Sequence, residues 1–173
     1  MLRLPLLPFF FCLIVVTACT PQVRGSMALS RGNAQEAVAL YRQALQNDPD
    51  SARIRLQLGK ALLHAGEYGK ASTRLQEALA ALPDSVPDNA EARFYLLLTG
   101  LGKDDPQLVL ARLMDFRPPG AEKLGQTIRL AATRASVRGL TVEETLTRME
   151  TAYREGRLAQ RHEDDTSFFD LDD

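Results

Sequence analysis

Residues 52–85 read ARIRLQLGKALLHAGEYGKASTRLQEALAALPDS, and the fold is decided there. The run divides into two helical halves at a tight turn, Ala65-Gly66-Glu67, where glycine punctuates the helical pattern. At about 100° per residue, Ile54, Leu58, Ala61, Leu62 and Ala65 cover one flank of the first half. Leu56, Gly59 and Leu63 lie on the other flank, and a narrow polar stripe of Arg53, Gln57, Lys60 and His64 runs between them. A helix that is apolar on two flanks must be packed between neighbours on two sides. The second half carries one face only, Tyr68, Ala71, Leu75, Ala78, Leu79 and Leu82, opposite Lys70, Arg74 and Glu77. The expected unit is an antiparallel pair with an inner and an outer helix.

The pattern recurs. Gly32 precedes Gly66 by 34 residues, and the same offset joins Ala37 to Ala71, Tyr41 to Leu75, Ala44 to Ala78 and Pro49 to Pro83. A period of this length marks a helical repeat array rather than a single-core globule. Upstream, residues 26–30 offer only a helical stub before Arg31-Gly32, and Asn33 with Glu36 reads as a capping pair for the next helix. Downstream, Asp88 and Glu91 read as the cap of a helix running through Ala92, Phe94, Tyr95 and Leu98 to Gly100, again 34 residues after Gly66. Asp105 caps the following helix with Pro106 at its first position, a favoured arrangement. Leu108, Ala111 and Met114 face inward there, and Pro118-Pro119-Gly120 stops it. Residues 121–136 place Leu124, Ile128, Ala131 and Ala135 on one face. Thr141-Val142-Glu143-Glu144 is a capping box that opens a last helix, with Val142, Leu146, Met149 and Tyr153 recurring to about Gln160. This last pair reads as a cap, because an array must cover its final apolar face.

Composition agrees with an all-α class. Ala, Leu, Arg, Gln and Glu fill the middle of the chain and β-branched runs are scarce. The net charge of −1 is unevenly placed: residues 163–173 hold six acids and no base, which leaves 20 bases against 16 acids over residues 19–162. A mildly basic body with an acidic tail argues against nucleic acid as the partner. The N-terminus reads as an address. Arg3 and the apolar residues 4–16 form a leader too short for a comfortable span, which needs about 20 residues, and typical of a cleaved signal. Cys12 leaves with it, so Cys19 would be the one mature cysteine, unable to form a disulfide within the chain.

Residues 52–85 resemble the tetratricopeptide repeat family. Leu58-Gly59, Leu62, Gly66, Tyr68, Ala71, Leu75, Ala78 and Pro83 carry the likeness, while Arg55 stands where the family usually has Trp. The resemblance implies an all-α fold of antiparallel helix pairs stacked as a short right-handed solenoid. Its units would be a partial repeat at 27–51, a full one at 52–85 and a degenerate one at 86–117, followed by a cap at 118–162 and the acidic tail. Separately, Val16-Thr17-Ala18-Cys19 resembles the lipobox of bacterial lipoproteins. That likeness implies removal of residues 1–18, acylation of Cys19 and a tether over residues 19–26. Ordinary cleavage after Ala18, leaving a soluble periplasmic protein, is the alternative. Thr20 follows where the inner-membrane retention signal would carry Asp, which implies the periplasmic face of the outer membrane, with the inner membrane as the alternative.

Nothing in the sequence assembles a catalytic or metal site. His64 and His162 are the only histidines, and no HExxH, phosphate-cradling glycine loop or nucleophile elbow occurs. Glu163-Asp164-Asp165 lacks the spaced oxygens and turn glycine of a calcium loop. The expectation is therefore no catalysis, no metal and no cofactor. By resemblance, the stripe side of the first helix lines a groove for a protein or peptide segment. Arg53, Gln57, Lys60 and His64 beside Leu56 and Leu63 would suit a partner bearing carboxylates and apolar groups. A solvated helix face is the plain alternative. Phe168-Phe169-Asp170-Leu171 has the composition such a groove should accept, in cis or from a second copy. Family resemblance implies an adaptor in envelope assembly, such as pilus, secretion or outer-membrane biogenesis, or else a regulator of a peptidoglycan enzyme.

Overall fold

The computed structural model describes residues 20–103 and 105–169, with 166–169 described by backbone alone. The leader, Cys19, Asp170 and Leu171 lie outside the described residues, as do the side chains of Phe168 and Phe169. Among the described residues the chain is all-α: α1 Pro21–Ser30, α2 Ala34–Asn47, α3 Ala52–His64, α4 Tyr68–Ala81, α5 Pro87–Leu98, α6 Pro106–Met114, α7 Glu122–Ser136 and α8 Val142–Phe169, with a 3-10 turn at Thr99–Gly102 after α5. Each helix packs on the next, and α3 also touches α1 and α5. That is the stacked-pair solenoid expected from the repeat.

The repeat begins earlier than the sequence pattern indicated. Residues 21–26, expected as tether, are the first two turns of α1. Pro21 occupies the first helical position and the Thr20 hydroxyl accepts from the Val23 N–H, so the entry is capped rather than slack. The reason the segment folds is Gly25. A Cβ there would stand 3.0 Å from the Tyr41 ring, which closes flat against the helix, and the Ser26 and Tyr41 hydroxyls bond at 2.9 Å. Gly59 does the same for Leu75 one unit later. Residues 25 and 59 are 34 apart, so α1/α2 is a full unit and not a partial one.

Turn chemistry sets the units apart. Gly32 and Gly66 adopt φ of +81° and +76° between paired helices, a conformation that costs L residues about 1 kcal/mol or more. Gly100 does not repeat this role: it lies inside the 3-10 turn. Its neighbour Gly102 sits instead under the Tyr68 ring, where a Cβ has no room. The third pair is thus joined by a wound turn, and its degeneracy is structural as well as sequential.

Two expected caps are different in kind. Asn33 makes no side-chain bond to its helix start and donates instead to Glu36 at 3.4 Å. Asp88 and Glu91 do not cap α5, which begins at Pro87 after Val86; both reach across to α3. Asp105 caps α6 as expected, accepting from the Gln107 N–H at 2.9 Å. Thr141 and Glu144 form the reciprocal box at the start of α8, with bonds of 2.9 and 3.3 Å. That helix then runs through residues 163–169, where a tail was expected.

Candidate functional site

The polar stripe of α3 is partly sealed. Lys60 bonds Glu91 of α5 at 2.5 Å, and both side chains are nearly buried. The same ammonium lies 4.8 Å from the centre of the Tyr95 ring, a cation–π contact that further fixes it. His64 meets Glu150 of α8 at 2.8 Å. Arg53 is the open member: its guanidinium lies 3.8 Å from Asp88 and its side chain is 70% exposed. Gln57 is half-buried beside it.

Leu56 and Leu63 are corrected. Their exposures are 0% and 1%, so neither offers surface to a partner. Periodicity had placed them on a second apolar flank, and that flank is spent on packing within the array. His64 and Lys60 are likewise tied to other helices, because α5 and α8 carry acids opposite them.

What occupies this face is α8. Tyr153 stacks on Phe94 with ring centres 4.6 Å apart and lies 6.1 Å from Tyr95. Phe116 adds an edge-on contact to Phe94 at 6.2 Å. Met149, Ala152 and Tyr153 are all buried, so the apolar face of α8 is satisfied by α5 and α7. Burial, reinforced by Glu150 and Glu91, pushes the Tyr95 phenol well above its ordinary range. Burial does the same to Tyr153, with Glu91 adding to it and Arg157 opposing. Both phenols are neutral packing groups and neither is a base at ordinary pH. The sequence showed the apolar face of α8 but not what it would cover. The aromatic cluster Phe94, Tyr95, Phe116 and Tyr153 escaped notice because its members are spread over three segments.

At one end of this face, the starts of α5 and α7 and the C-terminal half of α8 enclose a cavity of about 180 Å³. Val86, Pro87, Ala90, Ala121 and Leu124 form apolar walls; Arg157, Gln160 and Arg161 supply polar ones. Among the described residues no helix is long and apolar enough to cross a membrane.

Comparison with known proteins agrees with this geometry. The tetratricopeptide repeat family model matches residues 28–94. ALBINO3-like protein 2, chloroplastic, of Arabidopsis thaliana is 30% identical over 105 residues, which cover 55% of this chain and 20% of that protein. The chain therefore matches about a fifth of that relative's length. Repeats of this family are generally non-catalytic and hold protein partners. The glycine-closed helix pairs and the family match together identify residues 28–94 as tetratricopeptide repeats.

Proposed function

We propose that the protein is a membrane-anchored adaptor of the bacterial envelope, acylated at Cys19 and facing the periplasm from the outer membrane. Its partner is an envelope protein that supplies a segment bearing carboxylate and apolar groups, in the service of pilus, secretion or outer-membrane assembly. The observation that carries the reading is the pairing of the Val16-Thr17-Ala18-Cys19 leader with a repeat array that starts immediately after it. On this reading the partner uses the part of the inner face that α8 leaves open, along Arg53 and Gln57. Lys60 and His64 hold the face together rather than touch the partner.

The anchor and the adaptor role are tested separately. Mass spectrometry of the N-terminal peptide from purified envelopes should find Cys19 as the first residue, carrying acyl chains. An unmodified N-terminus after Ala18 would refute the anchor. Capture from detergent-solubilised envelopes with the full chain should enrich secretion, pilus or outer-membrane assembly proteins. Arg53→Glu with Gln57→Glu should cut that capture by at least fivefold without altering the melting temperature. Undiminished capture would remove this face from the reading.

A further inference from the structure

α1 opens the array, packing on α2 and, at its edge, on α3. Gly25 and Ala28 are buried on that inner side. The opposite face is open: Val23 is 43% exposed and Met27 45%, one turn apart on the same side. Arg24 and Arg31, both exposed, lie within roughly a quarter turn of Val23 at about 100° per residue. Among the described residues no carboxylate forms an ion pair with either guanidinium. Glu36, the acid in the first turn of α2, takes the Asn33 amide at 3.4 Å instead. Ser26 and Ser30 border the strip on its other side, and their hydroxyls turn back onto the helix. They donate to the Gln22 carbonyl at 3.2 Å and the Met27 carbonyl at 2.9 Å. The face is thus a short apolar strip with one cationic edge and one polar edge whose hydroxyls are already bonded. That combination suits a helix lying in the plane of a bilayer interface.

We propose that this face of α1 seats on the phospholipid surface, Val23 and Met27 entering the headgroup–acyl boundary and Arg24 and Arg31 bonding lipid phosphates. The inference rests on the anchor reading and says how the anchored protein is oriented. Two apolar side chains do not hold a free protein on a bilayer, because binding scales with the apolar area buried. Here they need not. Thr20 caps the helix and Pro21 begins it, so a lipid on Cys19 delivers the start of α1 directly to the headgroups. A contact made from such an anchor is effectively intramolecular, and a weak one then decides orientation. Charge points the same way, since the planar guanidinium fork matches phosphate oxygens. The arginine stems lie along apolar surface while their heads stay at headgroup level. Seven residues separate the two arginines, about 10 Å along the helix axis, so each takes its own phosphate. A second copy of the chain suits this face less well. Across a two-fold axis the strip would meet itself, bringing four unpaired guanidinium groups together.

The test exploits the absence of tryptophan and the single cysteine that remains from residue 19 onward. The chain from Cys19 to Asp173 is coupled through that thiol to maleimide-bearing phosphatidylethanolamine in vesicles of phosphatidylcholine with phosphatidylglycerol. Met27→Trp places a reporter on the face, and Val137→Trp places a control on a residue 83% exposed at the end of α7. Lipids brominated in the upper acyl chain should quench the first by about twofold or more and leave the second unquenched, as interfacial seating of α1 requires. Arg24→Glu with Arg31→Glu, added to Met27→Trp, should abolish the quenching while circular dichroism at 222 nm stays unchanged. Vesicles of phosphatidylcholine alone should quench more weakly. A Met27→Trp reporter no more quenched than the control overturns the proposal, as does quenching indifferent to both glutamates. A reporter shielded without lipid, in a chain that sediments as a dimer, gives the face to a second copy and also overturns it. Because the tether is chemical, the outcome is independent of acylation in the cell. An unmodified Cys19 in mass spectrometry sinks the anchor, whereas an unquenched reporter sinks the seating and leaves the anchor standing.

Discussion

Gly59 and Gly69 lie in the same repeat, yet the same substitution at each should move stability in opposite directions. A Cβ at residue 59 would stand 2.6 Å from Leu75 Cγ, 2.9 Å from its Cδ2 and 3.4 Å from the Ala71 carbonyl. Carbon atoms pack best at about 3.5–4.0 Å, so the first contact is short by roughly 1 Å. Leu75 is fully buried on α4 and has no solvent to retreat into. Overpacking of this kind costs about 1–3 kcal/mol, against a gain of about 0.5–1 kcal/mol for replacing a helical glycine by alanine. The net is a loss of roughly 0.5–2 kcal/mol, or about 2–6 °C in melting temperature for a chain of this size. At Gly69 in α4, nothing lies within 4 Å of the added carbon. Only the helix gain remains, about 0.5 kcal/mol near a helix start, so Gly69→Ala should melt slightly higher. The assay is urea and thermal unfolding followed by circular dichroism at 222 nm, run on both variants in parallel. A Gly59→Ala protein as stable as wild type would refute the claim that close helix approach at this glycine holds the pair together.

Tyr153→Ala should cost about 3–5 kcal/mol, as loss of a buried aromatic does, and should expose α8 to trypsin at Arg154 and Arg157 under conditions where the wild type resists. Tyr153→Phe should cost less than about 1 kcal/mol, because the buried hydroxyl it removes faces only the Arg157 guanidinium, in poor hydrogen-bond geometry. A large loss in the Phe variant would mean that the hydroxyl is bonded in solution. The start of α8 should respond to acid. Bonds from the Thr141 backbone N–H and then its side chain hold the Glu144 carboxyl below its ordinary value. A depressed folded-state value gives stability that is present above the ordinary glutamate range and lost as pH falls through the lowered one. Hydrogen exchange over residues 141–148 should therefore accelerate between pH 5 and pH 3 beyond its intrinsic dependence, and Glu144→Gln should abolish that excess. An identical pH profile in the variant would dismiss the capping box as the cause.

Much of the fold was legible because repeats write their geometry into spacing. Gly66, Ala71, Leu75 and Ala78 each do what their positions imply: a left-handed turn, then a buried face. The Gly25 to Gly59 interval was equally present and would have extended α1 back to Pro21. It was hidden by the neighbouring leader, which drew residues 20–26 into a tether, and by the weak apolar pattern of PQVRGSMALS. The site was less legible for a different reason. Periodicity assigns a residue to a face but does not say what covers that face. Leu56 and Leu63 were placed beside the stripe correctly and then given to a partner, when the array itself takes them. The acids opposite Lys60 and His64 lie 31 and 86 residues away in sequence, and no local pattern joins partners so distant. The cavity at Arg157 has the same origin, since it exists only where α5 meets the last helix pair, α7 and α8.

The capped start of α1 fixes more than a helix boundary. A seven-residue flexible tether would let the array wander about 15 Å from its attachment, by the square-root growth of such chains. With Thr20 as cap and Pro21 already helical, a lipid on Cys19 would leave one residue, at most about 3.6 Å of slack. The protein would then behave as a short post planted in the bilayer, not as a buoy on a line. Its inner face would stand at a set height and a set tilt, and a partner fixed in the same membrane would meet it at high local concentration or not at all. Inserting a Gly-Ser spacer between residues 19 and 20 would convert the post to a buoy and should weaken capture of membrane-bound partners while sparing soluble ones.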